Sequence, residues 1–340
     1  MKNKVITGLS CAELTAELKN LNEAPFRAKQ IIEWIYKKNA SSWDDMTNLS
    51  KDLRQKCASN WLFNAAEVAE SVKSDDGTEK LLLKLHDGEF IEMVIIPTDK
   101  RITFCLSTQV GCPVGCLFCA SGRNGLTRNL TMPEIIGEFQ AGCSVIGTLP
   151  DNIVFMGIGE GLLNFENLIA AIERLTSQEY FGMGVRRITV STSGFVPGML
   201  KLAELGKELN LAISLHAPDD DIRSRIIPGK LRYPIAEIMA AADVFREKCN
   251  RMPTIEYTLL KDINDSASCA KALAEIAAAH HTKVNLIPYN NTDCGFSRPA
   301  DKTIRTFEQI LDRAGIAVSV RRERGSDRAG ACGQLRAEHL

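Results

Sequence analysis

Hydrophobic residues change their spacing near residue 66, and that change divides the chain. Before it, apolar positions recur with a helical period. Ala28, Ile31, Ile32 and Ile35 fall at i, i+3, i+4 and i+7, one face of a helix, with Phe26 and Trp34 adding aromatic bulk beside it. Asn48 or Ser50 is placed to cap a following helix in LSKDLRQKCASNWL. After the change, EKLLLKL and EFIEMVIIP flank Asp87-Gly88 as two strands flank a hairpin turn. Strand-like runs then follow: ITFCLST, NIVFMGI, RRITVST, NLAISLH, TIEYTLL, KVNLIPY and IAVSVRR. Between them lie helical patterns such as PEIIGEFQAGCSVI, FENLIAAIERL, IAEIMAAADVFREKC and TIRTFEQILDRAG. Repeated strand–helix–strand units predict a parallel sheet with right-handed crossovers.

A closed barrel takes eight strands and about seven are legible here, so the expected fold is α/β, a partial (β/α) barrel with a small N-terminal helical domain. The expected organisation is a helical accessory domain over 1–65 and a linker with a β-hairpin over 66–100. The barrel then spans 101–325, and a C-terminal tail spans 326–340. The Ser/Asp/Gly-rich stretch around residues 70–78 is the best linker candidate.

Composition narrows the class. An apolar fraction of 45% and a charged fraction of 24% are those of a globular protein and argue against disorder. No apolar run reaches the ~18 residues of a membrane span, and the first residues lack the apolar core of a signal peptide. Eleven cysteines therefore fit a reducing cytoplasm better than a disulfide framework. A net charge of −1 means that any nucleic-acid surface must be a local basic patch. Arg27, Lys29, Lys37, Lys38, Lys51, Arg54 and Lys56 in the N-terminal module offer one, although such charges more often form a solvated face.

The densest chemistry is Cys112-Pro113-Val114-Gly115-Cys116-Leu117-Phe118-Cys119, with Cys105 seven residues upstream. Three cysteines spaced by three and then two residues can turn their sulfurs toward one point, as iron–sulfur ligation by thiolates requires. A structural zinc site would show two ligand pairs, and no second Cys-x-x-Cys or Cys/His pair occurs in the sequence. Three thiolates on a four-iron cluster leave one iron open to a small molecule, and this spacing resembles that of radical S-adenosylmethionine (SAM) enzymes.

In such folds the chemistry sits on loops after the strands, and several strand ends carry suitable residues. Gly159-Glu160 offers close backbone approach and a carboxylate for the SAM amino group, while Ser191, Ser214, His216 and Asn290 offer hydroxyl, ring and amide partners. Taken singly, each is more often a satisfied polar strand end; as a set on successive strand ends they favour a ligand. Cys105 could be a plain buried thiol. Cys332 lies in RGSDRAGACGQL, which has little apolar material to bury it, so an accessible, mobile cysteine is expected there, near Arg321, Arg322, Arg324 and Arg328.

CLSTQVGCPVGCLFCASG, GLTRNLT, the GxGE strand end, STSG, ISLHAP, NLIPYN and ACGQL together resemble the RlmN/Cfr family of radical-SAM RNA adenine methyltransferases, and the likeness spans the chain, including FRAKQIIEWIY and MTNLSKDLRQ. The resemblance implies that Cys112, Cys116 and Cys119 hold a 4Fe-4S cluster. It also implies that Gly159, Glu160, Ser191, Ser214, Leu215, His216 and Asn290 bind SAM.

Cys332 would carry a methyl group as a thioether, a second SAM would supply the radical that activates it, and Cys105 would release the product through a Cys105–Cys332 disulfide. Glu92 matches the family's proton-accepting glutamate; without the resemblance it reads as a solvated strand carboxylate. The implied substrate is an adenine of 23S ribosomal RNA, methylated at carbon 2 in the RlmN branch, often with a transfer-RNA adenine as well. A low-potential donor such as flavodoxin or ferredoxin, a monomeric state and a cytoplasmic setting complete the expectation. The alternatives are a Cfr-like carbon 8 enzyme or divergent paralogue, and a non-catalytic iron–sulfur RNA-binding protein. Gly161, where the family has proline, and Arg328-Ala329-Gly330-Ala331 before Cys332 depart from the family pattern.

Overall fold

The computed structural model describes residues 4–229, 231–290, 292, 294–321, 325, 330–331 and 333–335. Three helices, α1 (Cys11–Asn20), α2 (Phe26–Tyr36) and α3 (Lys51–Asn60), form the N-terminal module. Ala28, Ile31, Ile32 and Ile35 are all buried on α2, as their spacing predicts. Ser50, not Asn48, caps α3: its hydroxyl accepts the Leu53 N–H at 3.1 Å. Asn48 instead accepts the Trp34 indole N–H at 2.5 Å. The module is packed onto the barrel. Tyr36, Phe181, Phe139 and Phe104 make an edge-to-face series with centroids 4.7–5.8 Å apart, running from α2 to the sheet. Arg174, buried between the two parts, donates to Leu9 O and Tyr36 Oη, both at 2.9 Å, and lies over the Tyr180 ring at 4.0 Å.

The strands are β1 (Ala66–Lys73), β2 (Glu79–Leu85), β3 (Phe90–Pro97), β4 (Ile102–Cys105), β5 (Gln109–Gly111), β6 (Leu126–Asn129), β7 (Asn152–Phe155), β8 (Ile188–Thr192), β9 (Asn210–Ser214), β10 (Thr254–Leu259), β11 (Lys283–Pro288) and β12 (Val318–Val320). The remaining helices are α4 (Met132–Ile146), α5 (Phe165–Thr176), α6 (Val196–Glu204), α7 (Asp220–Ile226), α8 (Ile235–Cys249), α9 (Ala267–Ala279) and α10 (Asp301–Arg313). Ten strands form one sheet in the order β1-β2-β3-β4-β7-β8-β9-β10-β11-β12. Within this sheet every pairing from β4 to β12 is parallel, which gives the seven parallel strands read from the sequence. Among the described residues β12 pairs only with β11, so the barrel stays open. None of the helices is long and apolar enough to cross a membrane, among the described residues.

Residues 70–78, expected as a linker, instead finish β1 and turn into β2; β1, β2 and β3 form an antiparallel extension of the main sheet. A hairpin turn and a linker share the same Ser/Asp/Gly composition, and β1 hides itself because most of its side chains face solvent on an edge strand. The short pair β5–β6 also escaped the pattern, since three- and four-residue strands carry too few alternations.

Candidate active site

The loop between β5 and β6 carries the three-cysteine motif. Its apolar residues fix it: Val114 and Phe118 are buried in a cluster with Ala217, Ile226, Ile227, Leu260 and Tyr289. Its backbone is held at both ends, by Cys112 N–H to Gly125 O at 2.8 Å and Leu117 N–H to Ile226 O at 2.9 Å. With the hydrophobic residues turned inward, Cys112, Cys116 and Cys119 all line one cavity at the carboxyl ends of the barrel strands. Burial pushes the Cys112 thiol up to about 12. Burial also drives Cys116 well above its usual value, and the neighbouring sulfurs of Cys119 and Cys112 add to this. Three crowded thiols become thiolates together only when a strongly positive centre sits among them. Among the described residues no three His, Cys, Asp or Glu side chains gather as on a single metal ion. This donor set, all sulfur and spread around a cavity, fits a multi-iron cluster.

Successive strand ends complete the wall. After β7 the chain passes Gly157 and Gly159, where an added Cβ would meet the Leu106 backbone at 2.7 Å and Gln109 Cβ at 2.7 Å; Gly159 also has φ +114°. Only glycine permits that approach. It delivers Glu160 into the cavity at 3% exposure. Glu160 accepts the Ser193 N–H at 2.6 Å and the Leu162 N–H at 3.2 Å, while its own N–H donates to Gln109 Oε1 at 2.8 Å. Burial raises its carboxyl, and the Ser193 bonds oppose that rise.

Ser191, Ser214, His216 and Asn290 line the same cavity. His216 adopts φ +58°, and its Nδ1 accepts the Thr258 N–H at 2.9 Å, so the neutral ring keeps its proton on Nε2. Burial, helped by Arg223, lowers His216 to about 3 and keeps it neutral. Leu215 differs from the others: its side chain is fully buried in the main core rather than on the cavity wall. Its backbone holds the strand end, donating N–H to Glu256 O at 3.2 Å and accepting Arg223 Nε–H at 3.2 Å.

Cys105 ends β4, is 7% exposed and lines the cavity. Glu92 does not behave as a solvated carboxylate: it is 1% exposed and ion-paired with Lys80 at 2.7 Å. The cavity wall on β3 is made by Val94 and Ile96 rather than Glu92. Glu92 nevertheless points to the same sheet face, being two residues from Val94, whose cross-strand partner is Cys105. Cys332 lies outside the described residues, as do Arg322, Arg324 and Arg328. Its neighbours Ala331 and Gly333 line the cavity, and Arg321 does too. Ala331 is 5% and Leu335 is 4% exposed, so these two flanking residues are packed.

Three buried groups had no signal in the sequence. Arg223 on α7 donates to Ser193 O at 2.5 Å, Leu215 O at 3.2 Å and Tyr233 O at 3.2 Å, tying the loops after β8 and β9 together. Glu256 lines the cavity and accepts Asn285 Nδ2–H at 2.7 Å; burial raises its carboxyl. Glu138 on α4 grips the Ser107 N–H at 2.9 Å, two residues past Cys105. None of the three belongs to a local motif.

The ribosomal RNA large subunit methyltransferase N-terminal domain family matches residues 5–62, and the radical SAM superfamily matches residues 106–268. A probable dual-specificity RNA methyltransferase RlmN from Akkermansia muciniphila is 42% identical over 98% of this chain and 95% of that protein. The dual-specificity RNA methyltransferase RlmN of Geotalea uraniireducens is 44% identical over 99% of this chain and 97% of its own length. The crystal structure of a radical SAM methyltransferase from Sphaerobacter thermophilus superposes with a TM-score of 0.94 at 42% identity, covering 98% of this chain and all of that one. With full-length identity above 40% and the motif cysteines grouped on one cavity, the chain belongs to the RlmN family of radical-SAM RNA methyltransferases.

Proposed function

We propose that this protein methylates carbon 2 of an adenine in 23S ribosomal RNA and acts also on a transfer-RNA adenine, a reading in keeping with relatives named dual-specificity RNA methyltransferases. The observation that carries the reading is convergence: Cys105, the three-cysteine loop and the residues on both sides of Cys332 share one cavity.

Cys112, Cys116 and Cys119 would hold the 4Fe-4S cluster. Glu160 would take the SAM ammonium, whose positive charge offsets the burial of the carboxylate. The backbone at Gly159, the hydroxyls of Ser191 and Ser214, the His216 Nε2–H and the Asn290 amide would orient the rest of SAM, with Leu215 fixing the strand end. When bound, the cluster and SAM supply the methyl group and the radical that activates it, chemistry that a weakly nucleophilic ring carbon needs.

The chain's own thiols would do the covalent work. Cys332 would carry the methyl as a thioether to the adenine. Glu92 would accept the ring proton, its buried charge balanced by Lys80. Cys105, as a thiolate, would then attack the Cys332 sulfur; the new S–S bond forms as the S–C bond breaks, and the bonding pair goes to the released methylene carbon, which takes up a proton to complete the methyl group. Exposed Lys29, Lys37 and Lys51, with Phe26 at 55% exposure, make the N-terminal module a candidate RNA contact. Arg54 and Lys56 serve it less, being paired with Asp44 and with Glu23 and Asp52. A low-potential flavodoxin- or ferredoxin-type donor and a cytoplasmic setting complete the proposal.

Nucleoside mass spectrometry of ribosomal and transfer RNA, from cells with and without the gene, tests it. Gene-dependent 2-methyladenosine in both RNAs is expected; 8-methyladenosine would replace the carbon 2 reading with the Cfr-like one.

A further inference from the structure

We propose that Leu335 and Ser121 are positioning residues for Cys332, gripping the segment that follows it against Cys105 and the cysteine loop. The inference rests on the reading of Cys332 as the methyl carrier. Leu335 comes three residues after Cys332, and its side chain is buried in a small cluster with Val94, Cys105 and Ile158, bordered by Ile96, Val154 and Met156. Its carbonyl accepts the Ser121 hydroxyl at 2.7 Å. The Gly333 carbonyl accepts the Ala120 N–H at 2.8 Å. Ala120 and Ser121 directly follow Cys119, so this grip belongs to the same loop that carries the motif cysteines. Gln334 is tied back to Ala331 in both directions, donating its N–H to Ala331 O and accepting the Ala331 N–H on Oε1, each at 3.0 Å.

The chemistry explains why such a grip matters. A methyl carrier must meet first the activating radical and then the Cys105 thiol, and reactions of this kind depend steeply on placement. Leu335 shares its apolar cluster with Cys105, so the register of the C-terminal segment is set against the thiol that must later reach it. Ser121 sets the same segment against the cluster side of the cavity. An ungripped carrier leaves the radical without its intended hydrogen donor, and SAM is consumed without product. A Leu335 that only filled a gap in the core would alter stability and nothing else.

The test uses full-length, cluster-reconstituted protein and counts 5′-deoxyadenosine formed per methylated adenine. Deuterium exchange of the C-terminal peptide is followed alongside. Leu335→Ala should raise the ratio about tenfold, the equivalent of about 1.4 kcal/mol, and speed exchange in that peptide at unchanged iron content. Ser121→Ala should raise the ratio about fivefold, the equivalent of one net hydrogen bond of ~1 kcal/mol. Leu335→Met should restore most of the coupling. If Leu335→Ala does not fold, Ser121→Ala carries the test alone. A wild-type ratio in the folded variants overturns the inference, whatever their exchange or melting temperature. Cys332→Ala in the same assay separates the two ideas: methylation by that variant sinks the carrier reading itself. A dead Cys332→Ala beside fully coupled Leu335→Ala and Ser121→Ala sinks only the grip.

Discussion

The two cysteine-bearing segments of the cavity are held in opposite ways. In the loop from Cys112 to Cys119, thiols alternate with buried Val114 and Phe118, so the core itself fixes the sulfurs. The segment around residues 325–335 offers one large apolar residue, Leu335; among its described residues, Gly325 N–H donates to Asp76 Oδ2 at 3.1 Å and Gly330 N–H to Gly325 O at 2.8 Å. A group that must stay put is fastened by hydrophobic burial, whose loss is expensive. A carrier of the kind proposed for Cys332, which would meet two partners in turn, is better served by one apolar anchor and hydrogen bonds each worth ~1 kcal/mol, which can be exchanged.

The largest expected effects separate the two segments outright. Cys116→Ala should reduce iron from about four per chain to almost none, the content of the cluster type. Cys332→Ala should keep the iron and lose all methyl transfer. Cys105→Ala should keep iron and methyl transfer to Cys332 but accumulate protein covalently joined to RNA, seen on a denaturing gel with labelled RNA. Many turnovers by a soluble, cluster-loaded Cys105→Ala protein would show that the two-thiol chemistry is wrong here.

Intermediate effects sharpen the contrast. Phe118→Ala removes an aromatic ring buried at 8% exposure beside His216, 4.9 Å between ring centroids. A loss of ~3–5 kcal/mol is expected from such a deletion. Iron retention after gel filtration should fall with the melting temperature. If iron stays full while stability drops, the hydrophobic residues are not what holds the sulfurs. Glu160→Gln should leave iron content alone and weaken SAM binding by about ten- to a hundredfold, the effect of losing a charged hydrogen bond of ~1.5–3 kcal/mol. Equilibrium dialysis against SAM reads it directly, and unchanged affinity would remove Glu160 from the SAM site.

Sequence pattern reached the parallel strands and the cysteine loop because both are local. Strand-length apolar runs and a three-cysteine spacing lie within short windows. Glu160 and His216 were reachable for the same reason, sitting at strand ends that the periodicity locates. Arg223, Glu256 and Glu138 were not, because each acts on residues from 8 to 31 positions away in sequence. Glu92 was misjudged without the family likeness because its partner Lys80 comes from a neighbouring strand, and only the pairing of β2 with β3 brings the two together. Leu215 shows the converse: a motif names it, while only the fold shows that its side chain goes to the core and its backbone holds the strand end.

The smallest expected effect concerns a group beneath both segments. Glu138 is fully buried and grips the Ser107 N–H; the Ser107 hydroxyl donates to Glu92 O at 2.7 Å and accepts the Ile158 N–H at 2.9 Å. This knot joins α4, β3, the end of β4 and the approach to Gly159-Glu160. Burial raises the Glu138 carboxyl well above its usual range, with only the Ser107 bond opposing. A folded carboxyl raised above the unfolded value of about 4.3 binds its proton more tightly than the unfolded chain does. Its contribution to stability is therefore complete below that pH and is lost as pH rises toward the folded value. Glu138→Gln keeps an oxygen for the Ser107 N–H and cannot ionise. The variant's melting temperature minus that of the wild type should therefore increase as pH rises from about 5 toward the raised folded value, at fixed scan rate. Any constant offset from the new amide leaves that slope intact. Because the knot supports both segments alike, iron content and the ratio of 5′-deoxyadenosine to product should stay near wild type. A flat difference across that range would mean Glu138 titrates alike in the folded and unfolded chains. A change confined to the ratio would place the knot with the carrier rather than beneath both.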